Sequence, residues 1–419
     1  MSDDLHDTGQ RFRELIAGVD AQVEETITPE LARRVSRIYL TGCGDSYFAA
    51  IAARLFYDRY VGLPVEPVEG MEFSRYVAPY ALSDDALVIV ISNSGRVSRT
   101  VEAAIQSRRR GATTIAATAY ADRPLAQEAD AAILGSLPNV RATLANLETA
   151  VSDGALSGDI WDLSEPGAAQ RLAQTIGIGG SFQLLMLGLG AYYASVLILY
   201  LVGLRLAVLR GRLTAAEAEQ LRARIAASID DVTTTADRLR DPVSRLARTF
   251  RDHDTFLFLG SGPSYATALL SAAKLFEQPH LNGVPQQLEE WAHQQFFFTR
   301  PDGPPIFVVV PPGDSRDRAL EQIAGSQQVG ATVVAICDAE DEEIIGVADH
   351  ALPIFVRRPE TFSEALTPLT YVVPGQLFAF AMLEVRGQPS MKAPYDFQRL
   401  MEVNHRQIYG SDVRRPGER

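Results

Sequence analysis

The run RIYLTGCGDSY at residues 37–47 and its echo TFLFLGSGPSY at 255–265 decide how this chain folds. In each, a short apolar run ends in a Gly-x-Gly turn and passes into helical spacing, AAIAARLFYDRY after the first and ATALLSAAKLFEQ after the second. Gly44 and Gly262 are equivalent across this repeat. The first half continues with ALVIVISNSG (86–95), a helical segment through Arg110, TTIAATAY from Thr113 and AAIL at 131–134. The second continues with PIFVVVPPGD (305–314), a helical segment, ATVVAICD (331–338) and HALPIF near His350. Short β-branched runs alternating with helices predict βαβ units around buried parallel sheets. The pattern is written twice, so the expected fold is α/β and duplicated.

Working outward, the 419 residues suit two or three domains. The expected segments are an N-terminal helical stretch (1–36), a first α/β lobe (37–210), a helical connector (211–250), a second lobe (251–386) and a tail (387–419). Residues 214–241 read as a charged amphipathic helix, and 135–171 show no clear period. From 172 to 204 no residue is charged, so by length alone this is a membrane-span candidate. It is read as the only such stretch, it is broken by Gly188, Gly190, Ser195 and Gly203, and it lies between polar segments. A helix buried on all sides is therefore the expectation.

The charge balance narrows the partners. Lys plus Arg gives 39, Asp plus Glu 52 and the net charge −13, which disfavours nucleic acid because phosphate-backbone binding needs a basic face. Two cysteines, Cys43 and Cys337, argue against a disulfide scaffold and fit a reducing cytosol. The start is acidic without an apolar core, so no secretory signal is expected. Of the basic residues, 37 are arginine and only Lys274 and Lys392 are lysine; positions that keep an ammonium in so arginine-rich a chain are candidates for chemistry.

Two turns carry the first candidate site. Gly42, Cys43, Gly44, Asp45 and Ser46 lie where one strand becomes a helix, and Ser92, Asn93, Ser94, Gly95, Arg96 and Val97 lie where the next does. Backbone N–H groups at such helix starts favour an anion, and ligands of parallel sheets collect at the carboxyl ends of strands. The serines add small donors. There is no GxxxxGK[ST] loop and no third glycine for GxGxxG, so the site suits one phosphate rather than a nucleotide. Read alone, either turn is an ordinary capped βα connection; the two together point to phosphate.

With these residues on the page, the chain resembles the sugar-isomerase (SIS) domain proteins, in particular the isomerase half of glucosamine-6-phosphate synthase and the fructosamine-6-phosphate deglycases. The likeness rests on CGDSY, EFSRY (72–76) and SNSG in that order. It implies two flavodoxin-like lobes, a phosphosugar held at the first-lobe serines, and a long buried helix after residue 172. No glutaminase domain is expected ahead of the first lobe.

The second constellation lies after Gly262. Lys274 and Glu277 are three apart and share a helix face; Glu290 and His293 follow. By itself a Lys–Glu pair reads as a solvated helix face. The resemblance implies that Glu277 is the catalytic carboxylate, His293 the ring-opening histidine, supplied across a dimer, and Lys274 an assisting cation. Aldose–ketose interconversion needs such a set: a carboxylate carries a proton between C1 and C2 while a histidine moves hydroxyl protons. Ser261, Gly262, Ser264, Glu290 and Lys392 are further candidate contacts.

Departures from the family pattern are plain. Pro311-Pro312-Gly313-Asp314 stand where the first lobe has SNSG, so only the first lobe is expected to hold phosphate. Leu270 stands where the synthase has a glutamate, His293 is followed by Gln294-Gln295 rather than Gly-Pro, and Lys392 is offset from the synthase's tail lysine. Arg96 and Arg99 are candidates for a second anionic group, or simply the surface of a helix start. No metal-ligand spacing, cofactor motif or GxSxG elbow occurs. The expectation is a cytoplasmic homodimeric enzyme acting on a sugar phosphate by C1–C2 proton transfer, as isomerase, deglycase or deaminase. It needs no cofactor, and its apolar helix is buried near the dimer interface with no membrane span. The alternative is a non-catalytic sugar-phosphate-binding regulator.

Overall fold

A computed structural model describes residues 3–137, 181–357, 362–387 and 397–415. The chain divides into two compact units. The first comprises Gln10–Leu137, Gly190–Ala226 and Asp396–Arg419, the second mainly Ala227–Tyr395. Residues 10–36 and 396–419 group with the first sheet, and the stretch 211–250 is shared, 211–226 grouping with the first sheet and 227–250 with the second.

In the first unit, strands β1 (Arg37–Gly42), β2 (Val65–Glu69), β3 (Ala86–Ile91), β4 (Thr113–Thr118) and β5 (Ala131–Leu134) form one parallel sheet in the order β2-β1-β3-β4-β5. In the second, β6 (Thr255–Gly260), β7 (Asn282–Gln287), β8 (Ile306–Val310), β9 (Val333–Asp338) and β10 (His350–Ile354) give the same order, β7-β6-β8-β9-β10. This is the flavodoxin-like winding, whose switch point lies between the first and third strands. The duplicated α/β expectation holds. The continuous apolar runs have their reason in the layers: every residue of β3, β8 and β9 is buried, because helices cover both faces of such sheets.

The apolar run forms the helix Ser181–Leu209, and 172–180 lies outside the described residues. Of Leu189–Leu209, 83% is buried inside the protein. Its neighbours show why. The Tyr57 hydroxyl donates to the Leu199 carbonyl at 2.8 Å, the Phe56 and Tyr200 rings lie 4.6 Å apart, and Gly203 leaves room for Phe56, whose ring would meet a Cβ at 3.0 Å. This run is not the only one of its kind. Glu364–Val385 is also long and apolar enough to span a membrane, and is 89% buried; the polar residues Glu364, Thr367, Thr370 and Gln376 within it disguise the run. The amphipathic connector forms the helix Ala215–Thr249, which continues past Pro242. An interior proline costs about 3 kcal/mol; burial of Val243, Leu246, Ala247 and Phe250 just beyond it offsets that cost.

Candidate functional site

The first unit builds its turns from the backbone outward. Thr41 pairs with Val90 and Gly42 with Ile91 across β1 and β3, so the two turns leave adjacent strands at the switch point. Gly44 caps the helix Asp45–Tyr60 at φ 55°, ψ −132°, with no side-chain cap bond; this is a conformation only glycine takes readily. Gly42 lets the turns close, since a Cβ there would lie 2.9 Å from Ser46 Cβ and 3.0 Å from the Ile91 carbonyl oxygen.

The SNSG turn is held by its backbone. Gly95 N–H donates to the Ser92 carbonyl at 3.0 Å, Ser92 N–H to the Ala117 carbonyl at 3.0 Å and Ala119 N–H to the Asn93 carbonyl at 3.1 Å. Gly95 sits at φ 62°. Ser94 Oγ accepts the Arg96 N–H at 3.4 Å, and Val97 is the N-cap residue of the helix Ser98–Arg109. The Ser92 side chain is 2% exposed, and its hydroxyl has no hydrogen-bond partner among the described residues. Thr41, buried at the end of β1, is equally unpartnered. Buried polar atoms nearly always find partners, so these two hydroxyls at the switch point are candidates for bonding a ligand, as is the Ser264 hydroxyl in the second unit. Ser46 is half-buried at the start of its helix.

The Cys43 thiol is engaged within the fold. It donates to Glu69 Oε1 at 3.3 Å, and burial first, then the Glu69 charge, push it up to about 12. A thiol so poised is no nucleophile near neutral pH.

The arginines beyond the turn are already engaged. Arg99 pairs with Glu102, donates to Ser411 Oγ at 2.9 Å and reaches the Asp412 carbonyl. Arg96 lies over the Tyr409 ring, 5.3 Å from its centroid. Glu102, fully buried, is bound by Arg75 at 2.9 Å and accepts the Arg414 N–H at 3.3 Å. The EFSRY motif thus serves the scaffold, with Arg75 holding Glu102 and Phe73 packing 5.5 Å from the Tyr39 ring. Sequence reading missed Glu102: on a helix its charge looks like solvated surface, and its partner Arg75 lies 27 residues away.

In the second unit, Lys274 and Glu277 share one face of the helix Pro263–Glu277, Nζ to Oε2 2.8 Å. The two side chains differ sharply, Lys274 being 3% exposed and Glu277 51%. The ammonium is held inside while the carboxylate reaches the surface. His293 ends the short helix Leu288–His293, 66% exposed, with Nε2 3.3 Å from Glu289 Oε1; Glu289 also takes Arg318 at 2.7 Å. Glu290 accepts from Gln294 at 3.0 Å. Ser261 is half-buried, Ser264 is buried with an unpartnered hydroxyl, and Lys392 lies outside the described residues. Among the described residues no cluster of His, Cys, Asp or Glu could hold a metal ion.

Strand register refines the comparison of the two loops. Thr41 pairs with Val90 and its counterpart Leu259 with Val308. Gly95 therefore matches Gly313, Ser92 matches Val310, Ser94 matches Pro312, and Arg96 matches Asp314. The correspondence is one residue away from SNSG on Pro311–Asp314, and the loss of hydroxyls stands.

Two parallel sheets wound in the same order, each with a glycine-capped turn at its switch point, define a duplicated flavodoxin-like α/β architecture. Residues 31–149 and 249–386 match the SIS domain family, and the chain belongs to it. It is similar to glutamine–fructose-6-phosphate aminotransferase (isomerizing) of Corynebacterium diphtheriae, 25% identical over 397 residues, covering 92% of this chain and 55% of the relative. The enzyme of that name from Mycobacterium tuberculosis is 26% identical over 368 residues, covering 87% and 51%. The chain spans about half the length of these relatives. Among solved structures, the C-terminal domain of glucosamine-fructose-6-phosphate aminotransferase from Francisella tularensis superposes with a TM-score of 0.71 at 17% identity, covering 93% of this chain and 97% of that one. Tagatose-6-phosphate ketose/aldose isomerase from Escherichia coli gives 0.64 at 16%, covering 99% and 96%. Both likenesses show the fold.

Proposed function

We propose that this chain is a sugar-phosphate enzyme that moves a proton between C1 and C2, as an isomerase or as a deglycase or deaminase working through the same shift. The observation that carries the reading is the Lys274–Glu277 pair, an ion pair whose cation is buried and whose carboxylate faces solvent. A solvated helix face would leave both ends exposed. A buried ammonium fixes the carboxylate and supplies positive charge where an enediolate would form, which is differential stabilisation of the transition state.

In this reading the phosphate is bound by Ser46, Ser92, Ser94 and the amides of the two first-unit turns. Glu277 removes the proton from C1 of the ketose or its imine. The electron pair passes into an enediol or enolamine, and the same carboxylate returns the proton at C2. His293 of the partner subunit in a homodimer moves the hydroxyl proton in ring opening. The names of the relatives, an isomerizing aminotransferase and a ketose/aldose isomerase, support this substrate class. A regulator without catalysis is the competing reading, favoured by Leu270, which is 1% exposed in the apolar core where the synthase has a glutamate.

The deciding experiment incubates the purified protein in D₂O with hexose, amino-sugar and fructosamine phosphates and follows exchange at C1 and C2 by NMR. Glu277→Gln should lower exchange by about 10²–10⁴ and leave phosphosugar affinity nearly unchanged. Full exchange in that variant refutes the assignment, and binding without exchange by the parent establishes the regulator. The same preparation should come from the cytoplasmic fraction and sediment as a dimer; recovery only from detergent-extracted membranes refutes the cytoplasmic assignment.

A further inference from the structure

The second unit repeats the backbone of the first unit's anion loops with Ser264 in the place of Ser46 but Val310 and Pro312 in the places of Ser92 and Ser94, and a buried carboxylate lies beside its loop glycines. Gly262 adopts φ 54°, ψ −131°, against 55° and −132° at Gly44. Glu364 opens the 3-10 turn Glu364–Leu369 and is 6% exposed. Its Oε2 accepts the Asp314 N–H at 3.4 Å. A Cβ built on Gly262 would lie 4.0 Å from Oε1, and one built on Gly313 would lie 2.6 and 2.7 Å from the two oxygens. Gly313 does not have a positive φ, so its missing side chain answers to the carboxylate rather than to the backbone.

A carboxylate is costly to bury unless N–H donors and a helix N-terminus meet it. Gly262 gives the helix Pro263–Glu277 no side-chain cap. Arg316, close by in sequence, is occupied, bound by Asp341 at 2.7 Å and Glu343 at 2.8 Å.

The geometry points to Glu364 as the second unit's own anion: its carboxylate fills the cradle at Gly262 and Gly313, where the first unit takes phosphate. On the proposed reading that the first unit binds phosphate, on which this count rests, the chain holds one phosphate and not two. The inference goes beyond the proposed reaction and stands or falls whether or not Glu277 moves a proton. It also gives the helix bearing Lys274 and Glu277 an internal anion near its start.

Chemical rescue tests it. Melting temperatures are measured for the parent, E364A, E364Q and Gly313→Ala, in sodium formate and in sodium chloride of equal ionic strength. E364A should melt about 2–4 °C lower than the parent, and formate, a carboxylate small enough for the vacated cradle, should recover most of that loss while chloride does not. Gly313→Ala should melt lower as its methyl displaces the carboxylate, with no recovery in formate because the methyl occupies the space. E364Q keeps the volume and loses the charge; it should melt lower without rescue, and it carries the test if E364A does not fold. E364A melting with the parent, or recovering equally in chloride, overturns the proposal. So does an E364Q as stable as the parent, or two inorganic phosphates bound per parent chain in equilibrium dialysis.

Discussion

Replacing Ser92 with alanine separates stability from binding, because the two effects carry opposite signs. The side chain is 2% exposed and its hydroxyl has no partner among the described residues, so the ligand-free fold bears the desolvation cost of a group that water would satisfy. Such an unpaired buried polar group costs about 1–3 kcal/mol. S92A removes the oxygen and keeps the Cβ. The bond that seats the residue, its N–H to the Ala117 carbonyl at 3.0 Å, remains. The variant should gain about 1 kcal/mol, a rise of about 2–4 °C in melting temperature for a unit of this size. With phosphate the sign reverses. A hydroxyl bond to an anion is worth about 1.5–3 kcal/mol, so affinity should fall roughly 12- to 140-fold at about 1.4 kcal/mol per decade. Ser94 is the control: its Oγ already accepts the Arg96 N–H at 3.4 Å, so S94A should lose affinity without gaining stability. Calorimetric titration with fructose 6-phosphate, and melts of the same samples without ligand, read both effects. An S92A that binds as tightly as the parent refutes the phosphate assignment. One that melts several degrees lower refutes the claim that its hydroxyl waits for a ligand.

The remaining predictions concern the scaffold around the site. Glu102→Ala leaves Arg75 and Arg99 without their buried partner and should cost about 3–5 kcal/mol in urea unfolding. It should also expose the C-terminal segment, now bonded to Arg99, Glu102 and Gln106, to trypsin before the rest of the chain; unchanged stability with a protected terminus refutes this. Burial pushes the Cys43 and Cys337 thiols up to about 12. With folded values above the ordinary thiol range, their contribution is fully present below about 8.5 and is lost as pH rises toward 12. Melts from pH 8 upward should therefore fall through that window, and iodoacetamide at pH 8 should label both thiols only after unfolding. Rapid labelling of the folded protein contradicts the burial argument.

What was legible in the sequence was whatever repeats locally. Apolar runs of strand length, broken by Gly-x-Gly and followed by helical spacing, are local patterns, and the two sheets appear where those runs lie. Gly44 and Gly262 adopt the same dihedral angles to within a degree, so their equivalence was readable from spacing alone. Long-range pairing was not legible. Glu364 meets Asp314 across 50 residues, Arg99 meets Ser411 across 312, and no period in the chain encodes either contact. Residues 387–419 therefore read as a tail, although the helix Phe397–Tyr409 belongs to the first unit. Glu364 was hidden twice, once as an ordinary acidic residue and once inside an apolar stretch that its charge interrupts. The one-residue offset between the loops has a similar origin, because only the pairing of Leu259 with Val308 fixes which residues correspond.

Once the register is set, the divergence of the two units follows one physical line. Both keep the glycine cap and the strand order, and so both keep a backbone that favours negative charge. The first unit has Ser92, Ser94 and Arg96 there, and among the described residues the buried Thr41 and Ser92 hydroxyls find no partner. The second has Val310, Pro312 and Asp314 at those places and brings Glu364 to the empty one. A duplicated anion site can survive without its ligand only if the protein meets the same electrostatic need from within. By that reasoning the proposed phosphate site falls to the unit whose SNSG loop keeps Ser92 and Ser94, and the unit whose cradle Glu364 fills should bind no phosphate, which the dialysis stoichiometry reads directly.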